Sequence, residues 1–210
     1  MSFEIIRVPL GMMPTNGYII LHKESGDCAF VDPAEYGERF KAFLRSKDIE
    51  KLRYILLTHG HFDHIKGVKG LKADFGGAVV IHNLDADCLY NSEKSLGDFF
   101  GFSMPSLEAD LTVTDGDKLP FGDSEIEVLH TPGHTVGSVC YKISDVIFSG
   151  DTLFYQSMGR TDFPGGSVID MQKSLKRLYN LECNYKVYPG HEDETDLQSE
   201  RLYNPCMKGM

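Results

Sequence analysis

The chain is predicted to be an α+β protein in which two mixed β-sheets lie face to face, with helices on both outer faces. Three observations lead there. Short β-branched and apolar runs recur in both halves, two segments carry the helical hydrophobic period, and each half closes with a helix, a strand and a histidine-bearing turn. In that order the turns at residues 58 and 190 would face one another.

The elements follow along the chain. Residues 3–8, 17–22 and 28–32 read as strands, because Pro14-Thr15-Asn16-Gly17 and Glu24-Ser25-Gly26-Asp27 place turn chemistry between them. A helix is expected next, since Tyr36, Phe40, Phe43 and Leu44 stand at i, i+4, i+7 and i+8 and form one stripe. Residues 53–57 are a buried strand running straight into a histidine cluster, after which Ile65 and Val68 suggest a helix from Phe62 onward. Residues 78–82 read as a strand and 84–91 as a short helix by composition. Residues 92–110, with Phe99-Phe100-Gly101-Phe102, have no clear period and are expected to form a loop or small helical insertion overhanging a site. Strand signals resume at 111–113, 126–130, 138–143 and 146–149. Val168, Met171, Leu175 and Leu178 mark a second helix, and a last strand at 186–188 ends in Pro189-Gly190-His191.

Composition narrows the classes. At 210 residues the chain can bury a sizeable core and is read as one domain, 1–210. No run approaches the roughly 20 apolar residues of a membrane span. Glu4, Arg7 and Pro9 interrupt the apolar N-terminus, unlike a secretory leader, so a cytoplasmic protein without a membrane partner is expected. A formal charge of −10 without a Lys/Arg cluster argues against a nucleic-acid partner. The five cysteines are widely spaced and lack a Cys-x-x-Cys, which favours packed thiols over disulfides or a thiolate zinc site.

The segment Thr58-His59-Gly60-His61-Phe62-Asp63-His64 carries the chemistry. Crowding three imidazoles and a carboxylate into one turn is electrostatically wasteful without an ion. Gly60 lacks a Cβ and can take backbone angles that let His59 and His61 converge, while Asp63 and His64 fall in the first turn of the following helix. Gly-containing turns after β runs add His134, Asp151 and His191. Such N and O ligands suit zinc, iron or manganese, and dinuclear hydrolytic sites hold ions roughly 3.5–4 Å apart, commonly across a shared carboxylate. Asp151 is the candidate bridge. His59, His61, His134 and Asp151 are assigned to one ion; Asp63, His64, His191 and Asp151 to the other. His22, His82 and His130 stand alone and are read as packed or surface histidines. Asp115-Gly116-Asp117 lacks the further oxygens of a calcium loop and is read as a turn.

These residues carry a resemblance. His59-Gly60-His61-Phe62-Asp63-His64 matches the H-x-H-x-D-H motif of the metallo-β-lactamase superfamily, which the chain resembles over nearly its whole length. Asn16-Gly17-Tyr18-Ile19, Val31-Asp32-Pro33, Thr131-Pro132-Gly133-His134, Ser149-Gly150-Asp151-Thr152 and Tyr188-Pro189-Gly190-His191 extend it. Gly159-Arg160-Thr161-Asp162-Phe163-Pro164 and Glu200-Arg201-Leu202-Tyr203-Asn204-Pro205 look like short bacterial relatives of glyoxalase II. The resemblance implies an αβ/βα four-layer sandwich and a dinuclear site, with zinc as the first expectation. Only residues 192–210 follow His191, so the resemblance does not include the C-terminal helical domain whose basic residues hold glutathione in glyoxalase II.

The expected reaction is hydrolysis of a thioester, hydroxyacylglutathione-like. A hydroxide shared by two ions attacks the carbonyl, with Asp63 as the catalytic residue that orients it and takes its proton. A thiolate of pKa near 8.5 then leaves with little general-acid help. Phe154, Tyr155 and Arg160 are the candidate contacts to a small-molecule substrate, with Asp162 a competing partner for Arg160. Ser149 and Cys140 fit no nucleophile–base pattern. The alternatives are a persulfide dioxygenase with one iron on His59, His134 and Asp151, a lactone or phosphoester hydrolase, and a non-catalytic metal-binding module. Substrate choice is assigned to residues 92–110, 154–166 and the C-terminus.

Overall fold

Strands that alternate with period two yet are apolar on both faces belong in the middle of a layered structure. The computed structural model describes residues 3–104 and 106–210; Met1 and Ser2 of the N-terminal reading and Pro105 of the 92–110 insertion lie outside them. The first sheet has the order β1 (Phe3–Leu10), β2 (Thr15–His22), β3 (Cys28–Val31), β4 (Tyr54–Leu56), β5 (Ala78–His82) and β6 (Leu111–Val113). It is antiparallel from β1 to β3 and parallel from β3 to β6. The second sheet contains β7 (Lys118–Phe121), β8 (Ser124–His130), β9 (Val139–Ile143), β10 (Val146–Gly150), β13 (Lys186–Pro189) and β14 (Thr195–Asp196) in that spatial order. It is parallel between β10 and β13 and antiparallel elsewhere. A hairpin of β11 (Leu153–Phe154) and β12 (Ser157–Met158) lies apart.

Alternate residues of the same strands enter different layers. Tyr18, Ile20, Val31, Leu56 and Val80 pack inward against Val128, Tyr141, Phe148 and Tyr188 of the opposing sheet. Ile19, Phe30, Ile55 and Val79 face outward against helices α1 (Glu38–Ser46), α2 (Phe62–Ile65) and α3 (Val68–Phe75). On the far side, Leu129, Cys140, Ile147 and Val187 meet α4 (Val168–Tyr179) and α5 (Leu197–Tyr203). The result is the four-layer αβ/βα sandwich expected from the sequence.

Local differences have local causes. The apolar stripe begins at Tyr36, but α1 starts after Gly37, and the Tyr36 hydroxyl donates instead to Asp74. The helix expected from Phe62 is split into α2 and α3, because the Gly67 amide donates to the Pro33 carbonyl at 2.8 Å. Residues 84–91 form only the 3₁₀ turn Ala86–Leu89, where the Cys88 amide closes on the Asp85 carbonyl at 3.0 Å. The 92–110 insertion contains a 3₁₀ turn at Asp98–Phe100. The elements without a sequence expectation include β7, the β11–β12 hairpin, β14 and α5. β7 contains Pro120, which is tolerated because β7 is an edge strand. α5 is short and is started by Asp196, whose side chain accepts from the Ser199 amide at 3.0 Å.

The Tyr141 hydroxyl crosses the inner layer and donates to the Leu57 carbonyl at 2.9 Å, one residue before the histidine-bearing turn. Tyr141→Phe should leave that buried carbonyl unpaired and lower the unfolding free energy by about 1–3 kcal/mol, read from urea denaturation.

Candidate metal centre

The turns after β4, β8, β10 and β13 gather at one edge of the sandwich, and they bring together all seven residues singled out by the sequence. Ligand-type atoms fall into three overlapping groups, His59 with His61 and His134, His59 with His64 and Asp151, and Asp63 with His64 and His191, each with all its atoms within 4.8 Å of one another. His61 Nδ1 faces His134 Nε2 at 2.8 Å. Asp151 stands between the two sides, Oδ2 at 3.5 Å from His134 Nε2 and Oδ1 at 3.4 Å from His64 Nε2. On the second side, His191 Nε2 lies 3.4 Å from Asp63 Oδ2 and from His64 Nε2.

Backbone fit and buried acceptors hold these groups in place. A Cβ on Gly60 would lie 2.5 Å from Cys88, so Gly60 is required by close packing rather than by left-handed backbone angles. A Cβ on Gly190 would meet Asp151 Oδ1 at 2.3 Å and His64 Cε1 at 2.8 Å, which explains a glycine beside His191. Asp32 accepts from the Thr58 amide at 2.8 Å, the Thr58 hydroxyl at 2.7 Å and His64 Nδ1 at 2.9 Å. His64 Nε2 is thereby left to face the cluster. His134 is set the same way, donating Nδ1–H to the Arg160 carbonyl at 2.8 Å. Asp85 accepts from the Gly60 amide at 3.0 Å, the Gly137 amide at 2.8 Å and the Thr135 hydroxyl at 2.7 Å, tying the turns of His61 and His134 together.

The electrostatics differ between the two sides. Burial, reinforced by His64 and His134, pushes His59 well below the ordinary imidazole range, and burial with His134 takes His61 down to about 3. Burial would also lower His64, but the carboxylates of Asp151, Asp63 and Asp32 overcome it and push His64 up to about 10. His191 is likewise raised against burial by Asp63 and Asp151. Burial acts to raise Asp63, yet His64 and His191 hold it below the usual carboxylate range.

Two buried atoms of the cluster, His59 Nε2 and Asp151 Oδ1, have no hydrogen-bond partner among the described residues. Buried polar atoms are rarely left so. Both point to a cationic occupant, and a divalent ion fits this imidazole and carboxylate donor set.

The remaining predicted contacts separate. Phe154 lines a cleft of about 400 Å³ over the cluster, its ring edge-on to His191 at 6.2 Å. Arg160 also lines the cleft, but its guanidinium is doubly bonded to Asp162 at 2.7 Å and lies 3.8 Å from the Phe163 ring. Tyr155 is 49% exposed and is not part of the cleft wall; its hydroxyl accepts from Gln156. Asp85 was missed because nothing local distinguishes it. Asp32 appeared in the sequence only as part of a motif, without a role. Of the histidines set aside, His22 bonds Ser25 and Asp123, and His82 stacks on His130 at 4.1 Å.

A four-layer sandwich with a histidine and carboxylate cluster at one edge defines the class, and the chain belongs to the metallo-beta-lactamase superfamily, whose family pattern matches residues 10–191. Within it, the chain is 32% identical to the hydroxyacylglutathione hydrolase GloC of Haemophilus influenzae, over 99% of this chain and 98% of that one. Among solved structures, the BLEG-1 B3 metallo-beta-lactamase superimposes with a TM-score of 0.91 at 31% identity, covering 98% of this chain and 100% of that one. TTHA1623 in a di-iron-bound form gives a TM-score of 0.83 at 34% identity, covering 95% of this chain and 98% of that one.

Asp85→Ala should strand two buried amides and cost about 2 kcal/mol or more in urea denaturation, together with a fall in bound metal by elemental analysis. Burial, with His130 adding to it, lowers His82 from the ordinary 6.5 to about 4, so the fold favours its neutral form. Its contribution is complete above pH 6.5 and is lost as the pH falls toward about 4, because the unfolded chain takes a proton that the folded one refuses. The stability difference between wild type and His82→Gln should therefore shift against wild type over that interval.

Proposed function

We propose that the protein is a metal-dependent thioester hydrolase. The observation that carries this reading is the cleft above the cluster. Beyond the ligand residues and Phe62, its wall is mostly apolar, with Met13, Leu96, Phe100, Phe154, Met158 and Phe163, and its other charged side chains are Arg160 and Glu192. Apart from the cluster's own histidines, the described residues place no imidazole or phenol there to protonate a departing amine. A thiolate leaves without such a donor. The hydroxyacylglutathione hydrolase relative supports the same reading.

His59, His61 and His134 would hold one ion and Asp63, His64 and His191 the other, with Asp151 shared. Two divalent ions supply Lewis-acid charge and make a water nucleophilic near neutral pH, and zinc, iron and manganese all suit these donors. Asp63, partly exposed to the cleft and held ionised by its two imidazole neighbours, orients the attacking water through Oδ2. It takes the proton that water releases and gives it up to the departing thiolate or to solvent. Phe154 and the Arg160–Phe163 stack shape the wall and exclude water from the bond to be broken.

Asp63→Ala, His61→Ala and Asp151→Ala should each reduce hydrolysis of S-acyl thioesters on the order of 100-fold or more. Full turnover at normal metal content would refute the assignment. Elemental analysis should find about two ions per chain, and a chelator should abolish turnover until divalent metal is restored. About one iron per chain, with oxygen uptake on a persulfide, would replace the hydrolytic reading.

A further inference from the structure

The cleft over the cluster does not end there. A narrower cavity of about 70 Å³ shares Met13, Phe62, Asp63 and Phe100 with it and continues along α2 as far as Lys66. Its floor is a stack of rings, Phe62 on Phe100 at 4.9 Å and Phe62 on Phe102 at 5.2 Å. The stack is held in register because the Phe62 amide donates to the Ser95 carbonyl at 2.9 Å. Met12 and Met13 border the same slot, and Met12 is 80% exposed. Met side chains are unbranched and adaptable, which suits a wall that closes on a flexible ligand.

Lys66 supplies the basic side chain in the wall of this slot. Lys94, Lys72, Lys41 and Arg160 each pair with an aspartate, whereas Lys66 has no ion pair among the described residues. Its ammonium lies instead 4.3 Å from the centroid of the Phe102 ring, exposed, at the end of the slot. A ring face orients a cation without neutralising it, so the charge stays available to an anion. The Lys66 amide bonds the Phe62 carbonyl at 3.0 Å, so one helical turn, about 5 Å along the axis, separates Lys66 from the start of the ligand-bearing helix. A short apolar chain spans that distance.

We propose that Lys66 is a specificity residue that anchors the anionic end of one substrate arm, the arm being apolar where it crosses the Phe62, Phe100 and Phe102 rings. This rests on the thioester reading for the bond that is broken. A lysine offers a compact charge with three rotatable donors, so carboxylate and phosphate are both accepted chemically.

The test uses the metal-loaded protein and three thioesters of equal length ending in a carboxylate, a phosphate or a neutral carboxamide. Wild type should prefer a charged tail by about tenfold in kcat/KM, in line with a charge-assisted contact. Lys66→Met should bring the charged-to-neutral ratio near one, Lys66→Arg should keep it, and Lys66→Glu should invert it. The carboxylate and phosphate arms show which anion is taken. A ratio of one in wild type, or a ratio unchanged in Lys66→Met, overturns the anchor. Equilibrium binding of a non-hydrolysable thioether carboxylate and its amide separates this from the reaction itself. Charge-dependent binding that Lys66→Met abolishes keeps the anchor even if no thioester is turned over. Charge-independent binding rejects it.

Discussion

The buried carboxylate of Asp32 is the interaction on which the site rests. It sits just after β3 with φ of 52°, a left-handed angle that Asp tolerates better than most residues, and its oxygens accept two hydrogen bonds from Thr58 and one from His64. One side chain therefore sets the backbone of the histidine-bearing turn and the tautomer of His64. Asp85 performs the matching task for the Gly60 and Gly137 turns. A buried carboxylate is costly unless its hydrogen bonds are made, and losing one partner strands the others. The two aspartates thus make the site's geometry a property of the whole sandwich edge.

That scaffold holds a cluster whose members pull in opposite directions. His59 and His61 lie among other imidazoles away from water and are driven toward the neutral form. His64 and His191 lie against Asp63 and Asp151 and are driven the other way. One side concentrates lone pairs and the other negative charge, and cations satisfy both. The two partnerless atoms, His59 Nε2 and Asp151 Oδ1, are those at which protein hydrogen bonding gives out.

Nothing in this scaffold selects a substrate, since one fold hosts many reactions and the selecting groups are grafted on it. Here the cleft and slot over the cluster are walled by the insertion around Phe100 and Phe102, by the loop after β1 with Met12 and Met13, and by the hairpin segment with Phe154. Arg160, the guanidinium of the cleft wall, is neutralised by Asp162, which leaves the character of that wall mostly apolar.

Much was legible in the chain because it is local. Unbroken apolar runs in 17–22, 28–32 and 78–82 report that both strand faces are covered, and glycine-bearing turns after strands report where His59, His134, Asp151 and His191 emerge. The histidine cluster likewise names its own chemistry. What only the tertiary structure decided are relations between distant residues. Asp85 meets Gly137 52 positions away, His64 meets His191 127 positions away, and the Phe62 ring finds Phe100 and Phe102 through the insertion. Spacing along a chain states which groups stand at a strand's end. It does not state which acceptor lies across the sandwich from them, because that depends on strand order and on how two sheets are laid face to face.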